Sequence, residues 1–309
     1  MAICNEFTFL SSNGKIDIHA VFWQPEIGVR GIVQVSHGVA EYVRRYNHFA
    51  HFLCDNGFLV VGIDNLGHGE SVEKTEDLGY WGNTGGWEIV VADMRKLYEL
   101  TRERYPDVPY FLFGHSMGSF LSRTYIIRYS IGLDGVILSG TGQQARPILV
   151  AARAIAALEI RSHGASYKSE RLNKIAFGKY NNGIAPARTL SDWISRDTAV
   201  VDAYNEDPLC GYIPSAGLFR DMADGILFIS NPRNVKRMNK KMPVFFISGD
   251  RDPVGENGKS VIRAYRSFLD AGMTDVSMKL YHGARHELLN ETNKEEVYGD
   301  ILNWLESKL

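Results

Sequence analysis

The chain is expected to adopt an α/β fold, a mostly parallel sheet with helices on both faces and a helical insertion between two of its later strands. Three observations predict this. Short apolar runs of strand length alternate with segments whose apolar residues recur every three or four positions. The alternation stops over residues 143–237, where helical patterns follow one another without a convincing strand, and then resumes. The 309 residues are ample for one such domain with a sizeable core.

In chain order, residues 7–9 and 16–22, joined by Ser12-Asn13-Gly14, read as an antiparallel hairpin at one sheet edge. Residues 32–35 and 58–63 read as buried strands. Between them Tyr46, Phe49, Ala50 and Leu53 recur at helical spacing, and Asn56-Gly57 supplies the stop. Val90, Met94, Leu97 and Tyr98 mark the next helix, ended by Pro106, and buried strands follow at 110–113 and 136–138. Beyond the insertion come buried strands at 244–247 and 276–280, with a helix through Val261, Tyr265 and Phe268 stopped by Gly272. A last helix has Val297, Ile301 and Leu305 on its apolar face, and Thr292-x-x-Glu295 reads as its capping box. Near-continuous apolar strands alternating with helices belong to parallel sheets covered on both faces.

The boundaries place residues 1–142 and 238–309 in the core and 143–237 in a cap. Within the cap, 148–160 is nearly all apolar or alanine, and 189–205 and 216–229 are further helices carrying Trp193 and Phe219. Open α/β sheets bind ligands outside the carboxyl ends of their strands, so an insertion there sits above the site.

Composition narrows the function. A net charge of −2 offers no basic face for nucleic acid. Three cysteines, with no CxxC pair, speak against a disulfide framework or a zinc site and fit a reducing compartment. The residues from Met1 to Glu6 lack the basic start and apolar run of a signal peptide, and no stretch approaches the ~18 apolar residues of a membrane span. A cytoplasmic protein is the expectation. An amphipathic cap could touch a membrane surface transiently, although the apolarity of 148–160 fits burial equally well.

The chemistry centres on Gly114-His115-Ser116-Met117-Gly118, between a strand and a helix. Gly-x-Ser-x-Gly in that setting describes a nucleophile elbow, with the serine on a turn too tight for side chains two positions either side. Ser116 is then the nucleophile. The acid and the histidine should follow in that order, on loops after strands. Residues 248–255 (SGDRDPVG) offer Asp250 and Asp252. Asp252 is preferred, because it lies further into the turn and Pro253 fixes the chain there. His286, between the last strand and the last helix, is the expected general base, whereas His282 stands at the strand end. Asp64 to Ser71, with His68, reads as a structural loop. An oxyanion hole needs backbone N–H donors ~3 Å from the nascent anion. Met117 supplies one, and Val39 in the loop Ser36-His37-Gly38-Val39-Ala40-Glu41 is the best second donor. No metal and no cofactor is required.

The ordered set His37-Gly38-x-x-Glu41, Arg45-Tyr46, Gly67-His68-Gly69-x-Ser71, Gly114-His115-Ser116-Met117-Gly118, Gly249-x-x-Asp252 and Gly283-x-x-His286 resembles the α/β-hydrolases of the monoacylglycerol lipase and lysophospholipase group. The resemblance spans nearly the whole chain and is weakest in the cap. It implies the α/β-hydrolase fold, a Ser116–Asp252–His286 triad and Val39 and Met117 as oxyanion donors. It also implies a small-molecule ester or single-chain lipid as substrate. In relatives that cleave monoacylglycerol, groups around the equivalents of Glu41 and Arg45 help to hold the glycerol head; here the two could equally form a surface ion pair. Two positions depart from the pattern. Leu289 stands where animal monoacylglycerol lipases have a second histidine, and Leu66 where many relatives have a charged residue or proline. Trp193, Phe219 and residues 148–160 are expected to line an acyl pocket. A short-chain carboxylesterase, a thioesterase or an aminopeptidase of the same fold is the alternative, and a non-catalytic binding protein the distant one.

Overall fold

A computed structural model describes residues 3–129 and 131–309. Met1 and Ala2, at the start of the 1–142 segment, and Ser130 lie outside the described residues. The strands are β1 (Ile3–Leu10), β2 (Asp17–Gln24), β3 (Gly31–Ser36), β4 (Phe58–Ile63), β5 (Tyr110–His115), β6 (Gly135–Ser139), β7 (Val244–Gly249) and β8 (Val276–Tyr281). They form one sheet in the order β1-β2-β4-β3-β5-β6-β7-β8. The β1–β2 hairpin and the β2–β4 pair are antiparallel, and every pair from β4 to β8 is parallel. The mostly parallel sheet and its edge hairpin are therefore as the sequence predicts.

Side chains alternate between two core layers, as a pleated strand requires. On β4, Leu59, Val61 and Ile63 face one layer with Val90, Met94, Leu121 and Val261, while Phe58 and Val60 face the other with Phe49, Leu53, Val297 and Ile301. The covering helices are α1 (Asn47–Asp55), α2 (Gly86–Arg104) and α3 (Met117–Arg128), joined after the insertion by two more. α3 lies in the middle of the molecule, and its residues from Met117 to Ile127 are all buried.

Between β6 and β7 the chain forms α4 (Arg146–His163), α5 (Glu170–Phe177), α6 (Thr198–Glu206), α7 (Ala216–Ile229) and α8 (Pro232–Val235). Apart from one isolated bridge, Lys168 to Ser215, the segment has no extended pairing among the described residues. α9 (Lys259–Asp270) and α10 (Lys294–Glu306) complete the chain.

Three local readings need correction. Residues 189–205 do not form one helix: a single turn at Asp192–Ile194 ends in extended Ser195, and α6 starts afresh where Asp197 accepts from the Ala199 N–H at 3.0 Å. A good N-cap residue inside an apolar pattern restarts the helix rather than continuing it. The capping box at Thr292 does not form. The Thr292 N–H donates to Glu291, whose carboxylate is held by Arg196 at 2.8 Å, and α10 begins after Asn293 with no side-chain cap. Finally, β8 is an edge strand, half-buried along most of its length rather than buried.

Candidate active site

The register of the parallel strands brings their carboxyl ends together. Ser36 lies beside Gly114, His115 beside Ser139, and Gly249 beside Tyr281. The loops that follow these strands therefore meet on one edge of the sheet.

β5 leads into Ser116, which precedes α3 with φ +52° and ψ −121°. Such a backbone costs about 1–3 kcal/mol in a non-glycine residue and persists only where its surroundings enforce it. Two glycines permit the approach. A Cβ at 118 would run into the Ser36 carbonyl oxygen, and one at 114 would meet the Ser122 hydroxyl and the Gly118 carbonyl. The Ser116 N–H donates to the Ser139 carbonyl at 2.9 Å, tying the turn to β6. The Met117 N–H opens α3, at the helix end where amides lack intrahelical acceptors and the dipole is positive.

The loops after β7 and β8 hold an acid against an imidazole. Asp252 is fully buried and its Oδ2 lies 2.9 Å from His286 Nδ1. The carboxylate also accepts from the Val254 N–H at 2.9 Å and the Ser248 hydroxyl at 3.3 Å. Burial pulls the His286 imidazole down, but Asp252, with Glu287 and Glu41, outweighs it and raises the pKa above its ordinary value. Its ring packs between His115 and Trp193, at centroid distances of 4.6 and 5.0 Å. Burial, reinforced by His286, pushes His115 down to about 4. Asp250 turns outward instead, to His282 Nδ1 at 2.9 Å and the Gly283 N–H at 2.8 Å. Of the two candidate acids, the fold brings Asp252 to the histidine. His68 is buried behind the site, where burial lowers it to about 3, as befits a packing residue.

The loop after β3 passes directly over the serine: a Cβ on Gly38 would lie 3.1 Å from the Ser116 Cβ. Val39 lines the same cavity as Ser116 and His286. Ala40 has φ +53°, and its carbonyl accepts from the Tyr204 hydroxyl at 3.1 Å and the Gly211 N–H at 3.0 Å. Glu41 accepts from the Gly38 N–H at 2.6 Å and the Tyr46 hydroxyl at 3.0 Å.

Glu41 and Arg45 form neither a surface pair nor a pair of free headgroup ligands. Arg45 donates to Glu41 at 2.8 Å and doubly to Glu287 at 2.8 and 2.7 Å, and it sits over the Tyr204 ring. Glu287 also accepts from Asn290 at 2.9 Å. Although burial opposes it, Arg45 holds the Glu287 carboxyl down at about 2. Glu41 lines the large cavity; Arg45 lies behind it, with three of its N–H groups donating to the two carboxylates.

The cavity measures about 800 Å³. Phe177, Leu190, Trp193, Ile213 and Pro214 supply apolar wall, and Glu41, Glu287 and Tyr204 supply polar wall. Trp193 lines it. Phe219 does not: it is buried against Ala156, Leu172 and Phe177 within the inserted segment. Nor does α4, whose inner face packs on α7 while its outer face is open. Sequence reasoning took both for pocket wall because apolarity alone cannot distinguish a lining residue from a packing one. It missed Glu287 and Tyr204. Glu287 could have been flagged as an acid next to His286, but its partner Arg45 is 242 positions away, and nothing local marks Tyr204.

An eight-stranded, mostly parallel sheet with a serine elbow after β5 and an Asp–His pair after β7 and β8 defines an α/β-hydrolase. The chain belongs to the family described as serine aminopeptidase, S33, whose sequence profile matches residues 28–293. It is similar to a monoacylglycerol lipase of Mycolicibacterium smegmatis, 30% identical over 99% of this chain and 98% of that one. A monoglyceride lipase of Mus musculus is 26% identical over 93% and 86% of the two chains. Among solved structures, a thermostable carboxyl esterase from Bacillus coagulans in complex with glycerol superposes with a TM-score of 0.92, at 31% identity over 99% of each chain. The chain is accordingly a serine ester hydrolase. No helix among the described residues is long and apolar enough to cross a membrane.

Proposed function

We propose that this enzyme cleaves carboxylic esters of single-chain lipids, of the monoacylglycerol or lysophospholipid type, through Ser116, His286 and Asp252. The observation that carries the reading is His286, fixed by Asp252 at 2.9 Å, lining one cavity of about 800 Å³ with Ser116. The Ser116 hydroxyl attacks the ester carbonyl while His286 takes its proton, and the tetrahedral oxyanion rests on the Val39 and Met117 N–H groups. Collapse expels the alcohol, which leaves with the proton from His286. A water, deprotonated by the same imidazole, then attacks the acyl-enzyme, and Ser116 leaves with that proton as the acid is released. Asp252 keeps the imidazole in one tautomer and stabilises its charged form.

The cavity's size falls in the ~300–1,000 Å³ range of small-ligand pockets, and its apolar wall suits one acyl chain. Its polar end, Glu41 and Glu287, suits the hydroxyls of a glycerol-like head. The relatives named as monoacylglycerol and monoglyceride lipases support the same substrate class. We treat residues 143–237 as the cap that carries most of the apolar wall. The unpaired Cys4, Cys54 and Cys210 suit a cytoplasmic setting.

One feature favours a second reading, an aminopeptidase. Glu41 and Glu287 share a single guanidinium, which leaves net negative charge near the cavity wall to attract an ammonium group. Each of their oxygens already accepts at least one hydrogen bond, which weighs towards the ester reading. Side-by-side turnover of monodecanoylglycerol, p-nitrophenyl acetate and aminoacyl p-nitroanilides decides between them. Monodecanoylglycerol should have the highest kcat/KM, and preference for the acetate or the anilides would overturn the lipid assignment.

A further inference from the structure

The loop that carries His286 is held from two sides. On one side it lies on the end of β7, where a Cβ at Gly249 would run into the Ala284 and Arg285 carbonyl oxygens. On the other it meets the single turn at Asp192–Ile194 and the extended Ser195 that follows, both in the inserted segment. The His286 N–H donates to the Trp193 carbonyl at 3.4 Å, and the Glu287 N–H to the Ile194 carbonyl at 2.7 Å. Two charged side chains close this contact, and neither lines the cavity. Arg285 Nη1 donates to the Asp192 carbonyl at 2.6 Å and the Ser195 carbonyl at 2.9 Å, so it spans the turn from end to end. Glu291 is fully buried. It accepts from the Arg285 N–H at 2.7 Å and from Arg196 twice, the backbone N–H at 3.2 Å and Nε at 2.8 Å. One carboxylate therefore binds both the histidine loop and the chain leaving the turn, through charge-assisted bonds that are stronger than neutral ones.

What this contact holds in place is Trp193. Its ring packs on the His286 imidazole at a centroid distance of 5.0 Å and an interplanar angle of 40°. Asp252 fixes the imidazole through Nδ1 alone, and a ring held by one hydrogen bond can still tip about it. Neighbouring rings remove that freedom. His115 is part of β5 and is fixed by the sheet, whereas Trp193 stays on the imidazole only as long as its turn stays on the loop. The orientation matters, because a misplacement of ~1 Å in a catalytic group can cost about 10²-fold in rate.

We propose that Arg285 and Glu291 are positioning residues for His286: by holding the Trp193 turn against the imidazole, they keep its second nitrogen aimed at the Ser116 hydroxyl and the leaving group. The turn then works with the catalytic loop although the chain places it in the insertion. This rests on the reading of Ser116 and His286 as nucleophile and base.

The test compares Arg285→Met, Arg285→Lys and Glu291→Gln with the parent in two measurements. The first is kcat and KM on p-nitrophenyl acetate and decanoate. The second is the pH titration of Trp193 fluorescence, taken as the difference between each protein and the same protein carrying Trp193→Phe. A protonated imidazole quenches a neighbouring indole more than a neutral one, so the emission should step down as His286 gains its proton. Arg285→Met should lower kcat on both esters by about tenfold, leave the acetate KM within about twofold, and shrink the fluorescence step by about half or more. Glu291→Gln should act in the same direction by about threefold. Arg285→Lys, which can still reach one carbonyl, should recover most of kcat, and it and Glu291→Gln carry the test if Arg285→Met does not fold. An unchanged kcat in Arg285→Met would overturn the proposal, as would a full fluorescence step in a slowed variant or no step in the parent. So would a loss confined to the decanoate, because the contact would then only shape the pocket. Failure of the underlying reading looks different: the parent's Ser116 would resist a fluorophosphonate, while the fluorescence step, which needs no turnover, would still respond to Arg285→Met.

Discussion

The carboxyl edge of the sheet and the segment inserted between β6 and β7 face each other across one cavity, yet they are built differently. At the sheet edge every group of the proposed triad is held several times over. Ser116 is locked between two glycines and a bond to Ser139, and Asp252 is fully buried with three donors on its carboxylate. The inserted side offers walls from short helices and connecting turns, among them Phe177, Trp193, Tyr204 and Ile213. The proposed chemistry thus sits where parallel strands fix the backbone, and the proposed shape selection where the chain can vary without disturbing the sheet. The two sides are joined at Ala40, whose carbonyl takes bonds from Tyr204 and Gly211 across the cavity.

This division can be broken at several points. The largest effect belongs to the sheet edge: Asp252→Asn should lower kcat by about 10⁴-fold, as loss of the tautomer-fixing acid does elsewhere. The parent's kcat/KM should rise with pH through a value above the ordinary ~6.5, because His286 must be neutral to accept a proton and its pKa is raised. Removing Asp252 leaves burial as the dominant influence, so the residual activity should titrate lower. A midpoint that does not move would count against an Asp252–His286 unit.

Next comes the buried Glu41–Arg45–Glu287 cluster at the cavity wall. Arg45→Met strands two carboxylates and should cost about 3–5 kcal/mol of stability in urea denaturation at neutral pH. Glu287 titrates near 2 in the folded chain, below its unfolded value, so its stabilisation is present above ~4.5 and drains away as the pH falls towards about 2. The Arg45→Met penalty should shrink over that window. A pH-independent penalty would mean that Arg45 acts by packing alone.

On the inserted side the expected effects are smaller and different in kind. Trp193→Ala should lower the ratio of decanoyl to acetyl ester kcat/KM by about tenfold, reflecting lost apolar wall. Tyr204→Phe keeps the ring over Arg45 but removes one of the two donors to Ala40, and should lower kcat about three- to tenfold with KM nearly unchanged. A pure KM effect would make Tyr204 a wall residue and not a tether of the oxyanion loop. Asp250→Asn, on the surface with His282, should change turnover by less than about twofold.

The same contrast explains what could be read from the sequence. Strand-length apolar runs and glycine-bounded turns gave away the sheet and the elbow, because a parallel sheet imposes strong local patterns. Ser116, Asp252 and His286 follow strands in a fixed order, so their placement was legible too. The inserted segment obeys no such template. Phe219 and α4 are as apolar as Trp193, and only packing decides that one lines the cavity and the others do not. The Arg45–Glu287 and Tyr204–Ala40 contacts join residues 242 and 164 positions apart, and no local signal encodes them.

The central claim is that Ser116 is the nucleophile, activated by His286. Intact-mass spectrometry after brief exposure to a fluorophosphonate tests it most directly. The account predicts a single adduct located on Ser116, absent from Ser116→Ala and formed much more slowly in His286→Ala. No labelling, or labelling that survives Ser116→Ala, would contradict it.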